Sequence, residues 1–391
     1  MSETPTPLVH PDAELSADHA TFAQRIRDFA QDRLAPVARQ IDEDGVFRPE
    51  SVRDLAQAGI LGGPIADEFG GEGWSPMQVV LASEELGAVC GNARGFVAVQ
   101  SGLVAQCLER FGNDAQKSQW LPQLVRGEAV GCFALTEAEA GSDVASLQCR
   151  ATADGDGFRI SGHKIWTSNG GIADIALVFA TVDPELGGKG ITCFLVELSS
   201  SGIRRDPMPG KELGHRGSDH AQLTFEDVTV GADSVVGGIG NGFKVAMGGL
   251  ACGRLSVAAG AVGIHRAALV ASIDFVKQRQ QFGKPIAAFQ MVQERIADMT
   301  ATLMAARQLV YRCARVREAG TEGPGDLAAA KLFATEAASQ AADTAIQLHG
   351  GRGYSTEHPV ERLLRDSIGL RIYEGTSMIQ KTILSRAVLR P

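Results

Sequence analysis

Apolar residues in the first third of the chain recur at helical spacing. Phe22, Ile26 and Phe29 follow one another at intervals of four and three residues, which places them on one helix face. Two further stretches, Met77 to Ala88 and Val97 to Phe111, are mostly apolar and long enough for helices. The pattern predicts a helical N-terminal region.

The middle of the chain alternates apolar and polar positions, as strands with one buried face do. Phe158 and Ile160 alternate with polar residues, and Ile175 to Phe179 and Ile191 to Val196 are short apolar runs between turn residues. We therefore predict a compact β unit from Val130 to Val236.

Helical spacing returns in the last third. Leu269, Ile273 and Val276 share a face, and Ala328 to Leu348 reads as a long Ala-rich helix. The stretch 318–326 is rich in glycine and polar residues and is predicted to be a loop.

The order of these patterns predicts an α+β fold with a helical domain, a β domain and a C-terminal helical bundle. The predicted units are a disordered tail over 1–15, an N-terminal helical domain over 16–129, a β domain over 130–236 and a C-terminal helical domain over 237–391.

Composition narrows the class of protein. The chain has 391 residues, of which 44% are hydrophobic and 21% charged, as in soluble globular proteins. A net charge of −9 gives no support for a nucleic-acid partner. Met1 to Leu15 lacks a basic start and an apolar core, and no continuous apolar run is long enough to span a membrane.

The cysteines and histidines indicate neither disulfides nor a metal site. The seven cysteines are scattered without paired spacing, and the eight histidines show no metal-ligand pattern. Free buried thiols are typical of a reducing compartment, so we expect a cytoplasmic protein without a metal.

Two stretches in the first half of the predicted β unit could hold an aromatic ligand. Ala134 to Asp143 combines small residues with hydroxyls, and Lys164 to Gly171 places Trp166 at the end of a strand. Small residues allow the backbone to approach a flat ring, and tryptophan can stack on it. The alternatives are a helix-capping turn and a core tryptophan.

Two further stretches lie near the C-terminus. Gln347 to Tyr354 ends the Ala-rich helix with three glycines in four residues, which indicates either helix termination or backbone pressed against a ligand. Ile372 to Ser377 places Glu374 before the last helix. That carboxylate is either a helix-start charge or a desolvated base with a raised pKa.

In combination, these stretches resemble the acyl-CoA dehydrogenase family from about Ala20 to Leu389. Ala134 to Ser146 and Gln347 to Tyr354 match two family signatures, the second followed by Glu357, Arg362 and Asp366. Further similarity covers three shorter runs, namely Asp67 to Gly71, Arg279 to Lys284 with Gln290, and Tyr373 to Thr376.

The resemblance implies FAD as cofactor, held between the β domain and the C-terminal helices. Residues implied at the flavin ring and the thioester are Phe133, Leu135, Thr136, Gly141, Ser142, Trp166 and Ser168. Residues implied at the FAD of a neighbouring subunit, or at its adenosine side, are Arg279, Phe282, Gln290, Gln347, Gly350, Gly351, Gly375, Thr376 and Ser377.

The resemblance also implies the reaction. Glu374 would remove the α-proton of an acyl thioester while the flavin takes the β-hydrogen. A minority of the family places its glutamate one helix earlier, where this chain has Gly253 beside Arg254, and this supports Glu374. Substrate contacts are expected from Ser142, Arg254, Arg94 and Tyr373.

Two features bear on the substrate. Many family members have aspartate where this chain has Ala251, and the 318–326 loop lacks a basic residue for the CoA nucleotide, so the thioester could arrive on CoA or on an acyl carrier protein. Arg94 precedes a run, Gly95 to Ser101, that resembles the pocket helix of glutaryl-CoA dehydrogenases, where the matching arginine binds a distal carboxylate. The alternative is a surface arginine at the start of a helix.

Alternative functions remain open at this point. They are an acyl-CoA oxidase, a decarboxylating glutaryl-type dehydrogenase, and a scaffold without activity, against which Glu374, Thr136 and Trp166 argue. The resemblance further implies a homotetramer built as a dimer of dimers, and an electron-transferring flavoprotein as a possible acceptor.

Overall fold

The computed structural model of the protein describes residues 8–10 and 15–389. Most of the predicted disordered tail over 1–15 lies outside these residues. Within it, Val9 is buried, and its carbonyl accepts a hydrogen bond from Arg307 Nη2 at 3.0 Å.

The N-terminal part is helical, as the apolar periodicity predicts. Its helices are α1 (Ala17–Phe29), α2 (Ala35–Asp44), α3 (Pro49–Gln57), α4 (Pro76–Val89), α5 (Gly91–Val97), α6 (Gln106–Phe111) and α7 (Asp114–Val125). Two π-helical segments, Ala30–Leu34 and Ala98–Ala105, join α1 to α2 and α5 to α6. The predicted helix from Val97 to Phe111 is therefore continuous, but the helical turns in its middle are wider than those of an α-helix. Such π-helical turns often lie at functional sites.

The middle part is an eight-stranded mixed sheet. Its strands are β1 (Gly131–Ala134), β2 (Arg150–Asp154), β3 (Gly157–Thr167), β4 (Ile175–Thr181), β5 (Ile191–Glu197), β6 (Ile203–Pro207), β7 (Ala221–Val230) and β8 (Val235–Val236). The strand order is β6-β7-β3-β2-β4-β5-β8, and β1 pairs with β4 in parallel. Every residue of β4 is buried, because the strand lies inside the sheet and is covered on both faces.

The C-terminal part is a helical bundle. It consists of α8 (Gly242–Gln278), a hairpin of β9 (Gln280–Gln281) and β10 (Lys284–Pro285), α9 (Gln290–Glu318), α10 (Pro324–His349), α11 (Val360–Leu370) and α12 (Ser377–Leu389). The loop predicted over 318–326 is shorter in the structure, because α9 ends at Glu318 and α10 begins at Pro324. Pro324 starts α10 with its fixed φ, and the Asp326 carboxylate caps the helix by accepting a bond from Gly323 N at 2.9 Å.

Helix α8 is long and apolar enough to cross a membrane by length and composition, a feature that the sequence analysis did not identify. In the fold, 67% of its most apolar window is buried against neighbouring helices. Core helices of soluble proteins have the same composition, so α8 is explained as the centre of the bundle.

Buried ion pairs join the N-terminal helices to this bundle. Glu85 on α4 binds Arg266 Nη2 on α8 at 2.5 Å, and Glu84 binds Arg307 Nη2 on α9 at 2.9 Å. Removing one partner of such a pair leaves an uncompensated buried charge, which is strongly destabilising. The first pair fixes α4 against α8 and the second fixes α4 against α9. The fold class is confirmed, whereas the domain limits at 129/130 and 236/237 stay predictions.

Candidate active site

Glu374 lies in the turn between α11 and α12, with a left-handed backbone φ of 55°. Residues other than glycine are strained in this conformation and keep it only where their surroundings enforce it. Here, Arg254 Nε and Gln380 Nε2 donate to the Glu374 carbonyl oxygen at 3.1 and 3.3 Å. These two bonds fix the direction in which the side chain leaves the backbone.

The Glu374 carboxyl has the surroundings of a base and not of a helix-start charge. Its Oε2 atom is shielded from solvent and has no hydrogen-bond partner within the described residues. Burial raises the pKa of Glu374 to about 7, although the positive charges of Arg94, Lys331 and Arg254 oppose the shift. A carboxyl with a pKa near neutrality is suited to accept a proton from a weak carbon acid.

This raised pKa predicts a pH dependence. Only deprotonated Glu374 can accept a proton, so kcat/KM for flavin reduction should rise with pH through a midpoint near 7. His215, nearby, cannot supply this limb because burial lowers its pKa to about 4. Rapid-mixing measurements from about pH 5 to about pH 9 would test this, and a flat profile would contradict it.

Gly253 on α8 leaves the space that the carboxyl occupies. A Cβ atom at this position would lie 1.9 Å from Glu374 Oε2, far inside van der Waals contact. A minority of the family has its catalytic glutamate at the position of Gly253. In this chain a side chain at that position would clash with the Glu374 carboxyl, so the glycine is required for Glu374 to adopt the observed position.

A cavity of about 150 Å³ opens beside Glu374 where the three parts of the fold meet. The predicted residues that line it together with Glu374 are Arg94, Phe133, Leu135, Thr136, Trp166, Ser168 and Tyr373. Helical N-terminal residues form one wall, strand ends form a second, and the turn before α12 forms the third.

A β-bulge aims Trp166 at the cavity. The pairing of β3 with β7 loses its register between Lys164 and Thr167, and Trp166 in this interval has a φ of 54°. Bulges of this kind redirect a side chain and are common next to active sites. As a result, half of the Trp166 surface is exposed, which is unusual for so large an apolar ring.

A buried ion pair anchors the loop that carries Thr136. Lys164 Nζ donates to Glu137 Oε1 at 2.6 Å and to the Leu135 carbonyl at 3.1 Å. The Glu137 carboxylate also accepts bonds from the backbone N–H groups of Gln148 and Cys149 at 2.6 and 3.0 Å. The loop is thus held rigidly against β3 without occupying the cavity.

These residues fit a flavin ring. Trp166 offers an exposed aromatic face, Phe133 and Leu135 offer apolar contacts, and the hydroxyls of Thr136 and Ser168 can donate to ring heteroatoms. FAD bound here would supply the acceptor for a hydride.

The opposite end of the cavity is polar. Arg94 is buried, with 3% of its surface exposed, and its Nη2 donates to Tyr373 Oη at 2.5 Å. Tyr373 Oη lies 3.3 Å from His215 Nε2, which is neutral at physiological pH and can accept the hydroxyl proton. A Cβ atom at Gly260 would lie 2.8 Å from Arg94 Cδ, so this glycine makes room for the arginine.

Sequence reasoning missed several lining residues. They are Leu103, His215, Ser218, His220 and Leu250. Four more lining residues, Gly95, Ala98, Val99 and Asn169, lie within stretches that the sequence analysis identified but were not assigned a role individually. Two of the eight histidines fall within the short segment from His215 to His220, which was an available signal. The contacts of His215 with Tyr373 and of His220 with Trp166 depend on tertiary packing, which no local pattern encodes.

Other predicted residues lie outside this cavity. Gly141 and Ser142 are exposed on the loop after β1. Ser377 Oγ donates to Glu336 Oε1 at 2.6 Å, and Thr376 Oγ1 accepts from Ile379 N at 3.3 Å. Gly375 is half-buried and follows Glu374 in the turn before α12. The remaining predicted cofactor residues are exposed on the C-terminal part and are Arg279, Phe282, Gln290, Gln347, Gly350 and Gly351. Their role toward a neighbouring subunit's FAD stays a prediction.

Three family models match consecutive parts of the chain. They describe the N-terminal, middle and C-terminal domains of acyl-CoA dehydrogenases and match residues 16–128, 132–228 and 240–389. The chain is 37% identical over 379 residues to the short-chain specific acyl-CoA dehydrogenase of Clostridium acetobutylicum, covering 97% of this chain and 100% of that protein.

Solved structures with the same architecture include two of different chemistry. Glutaryl-CoA dehydrogenase from Mycobacterium smegmatis superposes with a TM-score of 0.93 at 32% identity, over 98% of this chain and 97% of that one. The prolyl acyl carrier protein oxidase AnaB superposes with a TM-score of 0.92 at 30% identity, over 96% and 100%. Since all three parts of the chain match, this protein belongs to the acyl-CoA dehydrogenase family, as its motifs predicted.

Proposed function

We propose that this protein is an FAD-dependent dehydrogenase that introduces a double bond between the α and β carbons of a short acyl thioester. The observation that carries the proposal is the partnerless Glu374 Oε2 atom in a small cavity whose other wall fits a flavin. Membership of the acyl-CoA dehydrogenase family supports the same reaction and cofactor.

The protein's own groups perform the proton chemistry. The α C–H bond breaks and its proton passes to the Glu374 carboxylate. FAD, when bound, would supply the acceptor for the hydride that leaves the β carbon. The Glu374 N–H donates to no acceptor within the described residues, so it is available to the thioester oxygen. A donor aimed at that oxygen stabilises the negative charge that develops as the α-proton leaves.

Anaerobic mixing of the FAD-loaded protein with thioesters tests the proposal. Butyryl-CoA, glutaryl-CoA and the same acyl groups on a phosphopantetheinylated carrier protein form the panel. We expect at least one of them to bleach the oxidised flavin and yield the α,β-unsaturated product. A flavin-loaded protein that none of these thioesters reduces would contradict the proposal.

Arg94 supports a substrate with a distal carboxylate. This buried guanidinium forms no ion pair with any carboxylate in the part of the chain that the structure describes, and it donates a hydrogen bond to Tyr373 Oη. A buried cation is costly unless an anion compensates it, and a substrate carboxylate can accept two parallel bonds from arginine. A decarboxylating glutaryl-type reaction is the second candidate, and release of CO₂ with glutaryl-CoA distinguishes it.

Replacing Arg94 by Ala should lower kcat/KM for glutaryl-CoA by about 10- to 100-fold more than for butyryl-CoA, because charge-assisted hydrogen bonds to the distal carboxylate are lost. Steady-state kinetics with both substrates measure this difference. The matched control is Arg94→Lys, which keeps the charge and should retain part of the preference. Equal losses on both substrates would remove the carboxylate role.

The carrier and the electron acceptor stay proposals. Arg317 lies near the predicted CoA end of the site, but its Nη2 pairs with Glu322 at 3.0 Å and donates to the Ala251 carbonyl at 3.0 Å. A neutralised arginine gives a nucleotide phosphate little attraction, which favours a carrier protein over CoA. Oxygen consumption during turnover would distinguish an oxidase from a dehydrogenase that passes electrons to an electron-transferring flavoprotein.

We propose that the active form is a homotetramer in the cytoplasm. Large apolar side chains of the C-terminal part are exposed, among them Phe282 at 92%, Tyr354 at 88% and Met291 at 75%. Exposed apolar side chains concentrated on one part of a chain are typical of contacts between subunits. Sedimentation analysis of the FAD-loaded protein would test the assembly.

A further inference from the structure

Lys331 is a buried lysine inside the Ala-rich helix α10. None of its surface is exposed, and its Nζ atom donates to the Tyr373 carbonyl at 3.0 Å and to the Gly375 carbonyl at 2.7 Å. An ammonium group that leaves water without a paired anion is costly, so such a residue persists where it has a specific task. The two carbonyls that it binds belong to the residues on either side of Glu374.

The backbone around Glu374 therefore has donors on three consecutive carbonyls. Lys331 binds the first and the third, Arg254 Nε binds the middle one at 3.1 Å, and Gln380 Nε2 binds the third at 2.9 Å. Glu374 and Gly375 both have positive φ, at 55° and 91°. A strained segment of this kind keeps one conformation only while its surroundings hold it.

We infer that Lys331 is a positioning residue for the base, resting on the function proposed above. Its ammonium holds the segment from Tyr373 to Gly375 in the one conformation that directs the Glu374 carboxylate past Gly253 into the cavity. Lys331 itself does not line the cavity, so it acts through the backbone and not on the substrate.

The charge of Lys331 has a second consequence for Glu374. The cationic groups that face the Glu374 carboxyl are Arg94 from α5, Arg254 from α8 and Lys331 from α10, and Tyr373 is the adjacent neutral acid. Burial lowers the pKa of Lys331 to about 8, so at neutral pH it is mainly charged and favours the carboxylate. Without this charge, the pKa of Glu374 would move further above about 7.

The experiment compares Lys331→Met with Lys331→Arg in the FAD-loaded protein. Methionine keeps an unbranched apolar stem but removes every N–H donor and the charge, whereas arginine keeps both. Flavin reduction by butyryl-CoA should slow by about 10²-fold in Lys331→Met, since misplacing a reacting group by about 1 Å costs that much. Lys331→Arg should recover part of the loss, and KM should change little in both variants.

A measurement without substrate separates positioning from general destabilisation. The carboxyl band of Glu374 can be followed by infrared titration and assigned as the band that Glu374→Gln lacks. We expect its midpoint to shift to higher pH in Lys331→Met and to stay near the wild-type value in Lys331→Arg. Lys331→Gln serves as a second neutral variant if the methionine variant does not load FAD.

The outcomes are distinct. An unchanged infrared midpoint and an unchanged reduction rate in Lys331→Met, with only a lower melting temperature, would overturn the inference and leave a structural lysine. Wild-type protein that no thioester reduces would instead contradict the proposed function, while the infrared shift would still report on the contact between Lys331 and the Glu374 segment.

Discussion

Replacing Glu374 by Gln is expected to slow flavin reduction by an acyl thioester by about 10²- to 10⁴-fold, the usual contribution of a general base. Glutamine has nearly the same shape but cannot accept the α-proton. Because Glu374 Oε2 accepts no hydrogen bond in the described part of the chain, the substitution breaks no hydrogen bond of this atom, and we expect the variant to fold. Rapid anaerobic mixing with butyryl-CoA or glutaryl-CoA measures the rate.

A matched control is Glu361→Gln on α11. Glu361 pairs with Arg365 at 2.8 Å and does not line the cavity, so its loss should leave the reduction rate unchanged. Both variants should retain FAD. A Glu374→Gln protein that is reduced at the wild-type rate would show that another group takes the proton, and the assignment of the base would then be wrong.

Replacing Gly253 by Ala is expected to produce a nearly comparable loss without touching the base itself. The new Cβ atom would lie 1.9 Å from Glu374 Oε2, so the carboxyl must move. The side chain can rotate within the open cavity, and alanine favours helix by up to about 1 kcal/mol over glycine, so stability should change little. The displaced base should slow flavin reduction by about 10²-fold.

The control for this substitution is Gly102→Ala, in the π-helical segment. A Cβ atom there would meet no atom within 4 Å, so the variant should reduce its flavin at the wild-type rate. Melting temperature and flavin content establish that both variants are folded. If Gly253→Ala kept full activity, the observed position of Glu374 could not be the one required for catalysis.

The elements that the sequence predicted well are those with strong apolar periodicity. The helix predicted from Met77 to Ala88 is observed as Pro76–Val89, and the helix predicted from Ala328 to Leu348 is observed as Pro324–His349. The π-helical segment Ala98–Ala105 was not predictable, because a change in hydrogen-bond spacing leaves the apolar pattern almost unaltered.

The site was predictable where one local run contains the chemistry. Glu374 and Trp166 stand in recognisable stretches, yet the sequence alone left each with an ordinary structural explanation. The burial and the backbone strain of these residues decide between a functional and an ordinary structural explanation. Both properties arise from contacts with residues that are distant in the chain. Gly253, Lys331 and His215 reach the Tyr373–Glu374 segment only through the packing of separate elements. The lone lysine in an Ala-rich helix was a visible sign that the sequence analysis did not use.

The central claim is that the Glu374 carboxylate removes the α-proton, and hydrogen exchange tests it most directly. Methylthioacetyl-CoA has acidic α-protons but no β-hydrogen, so exchange in D₂O isolates the proton step from flavin reduction. With the FAD-loaded wild-type protein, mass spectrometry should show deuterium entering the α carbon, and with Glu374→Gln it should show almost none. Equal deuterium uptake with both proteins would contradict the account.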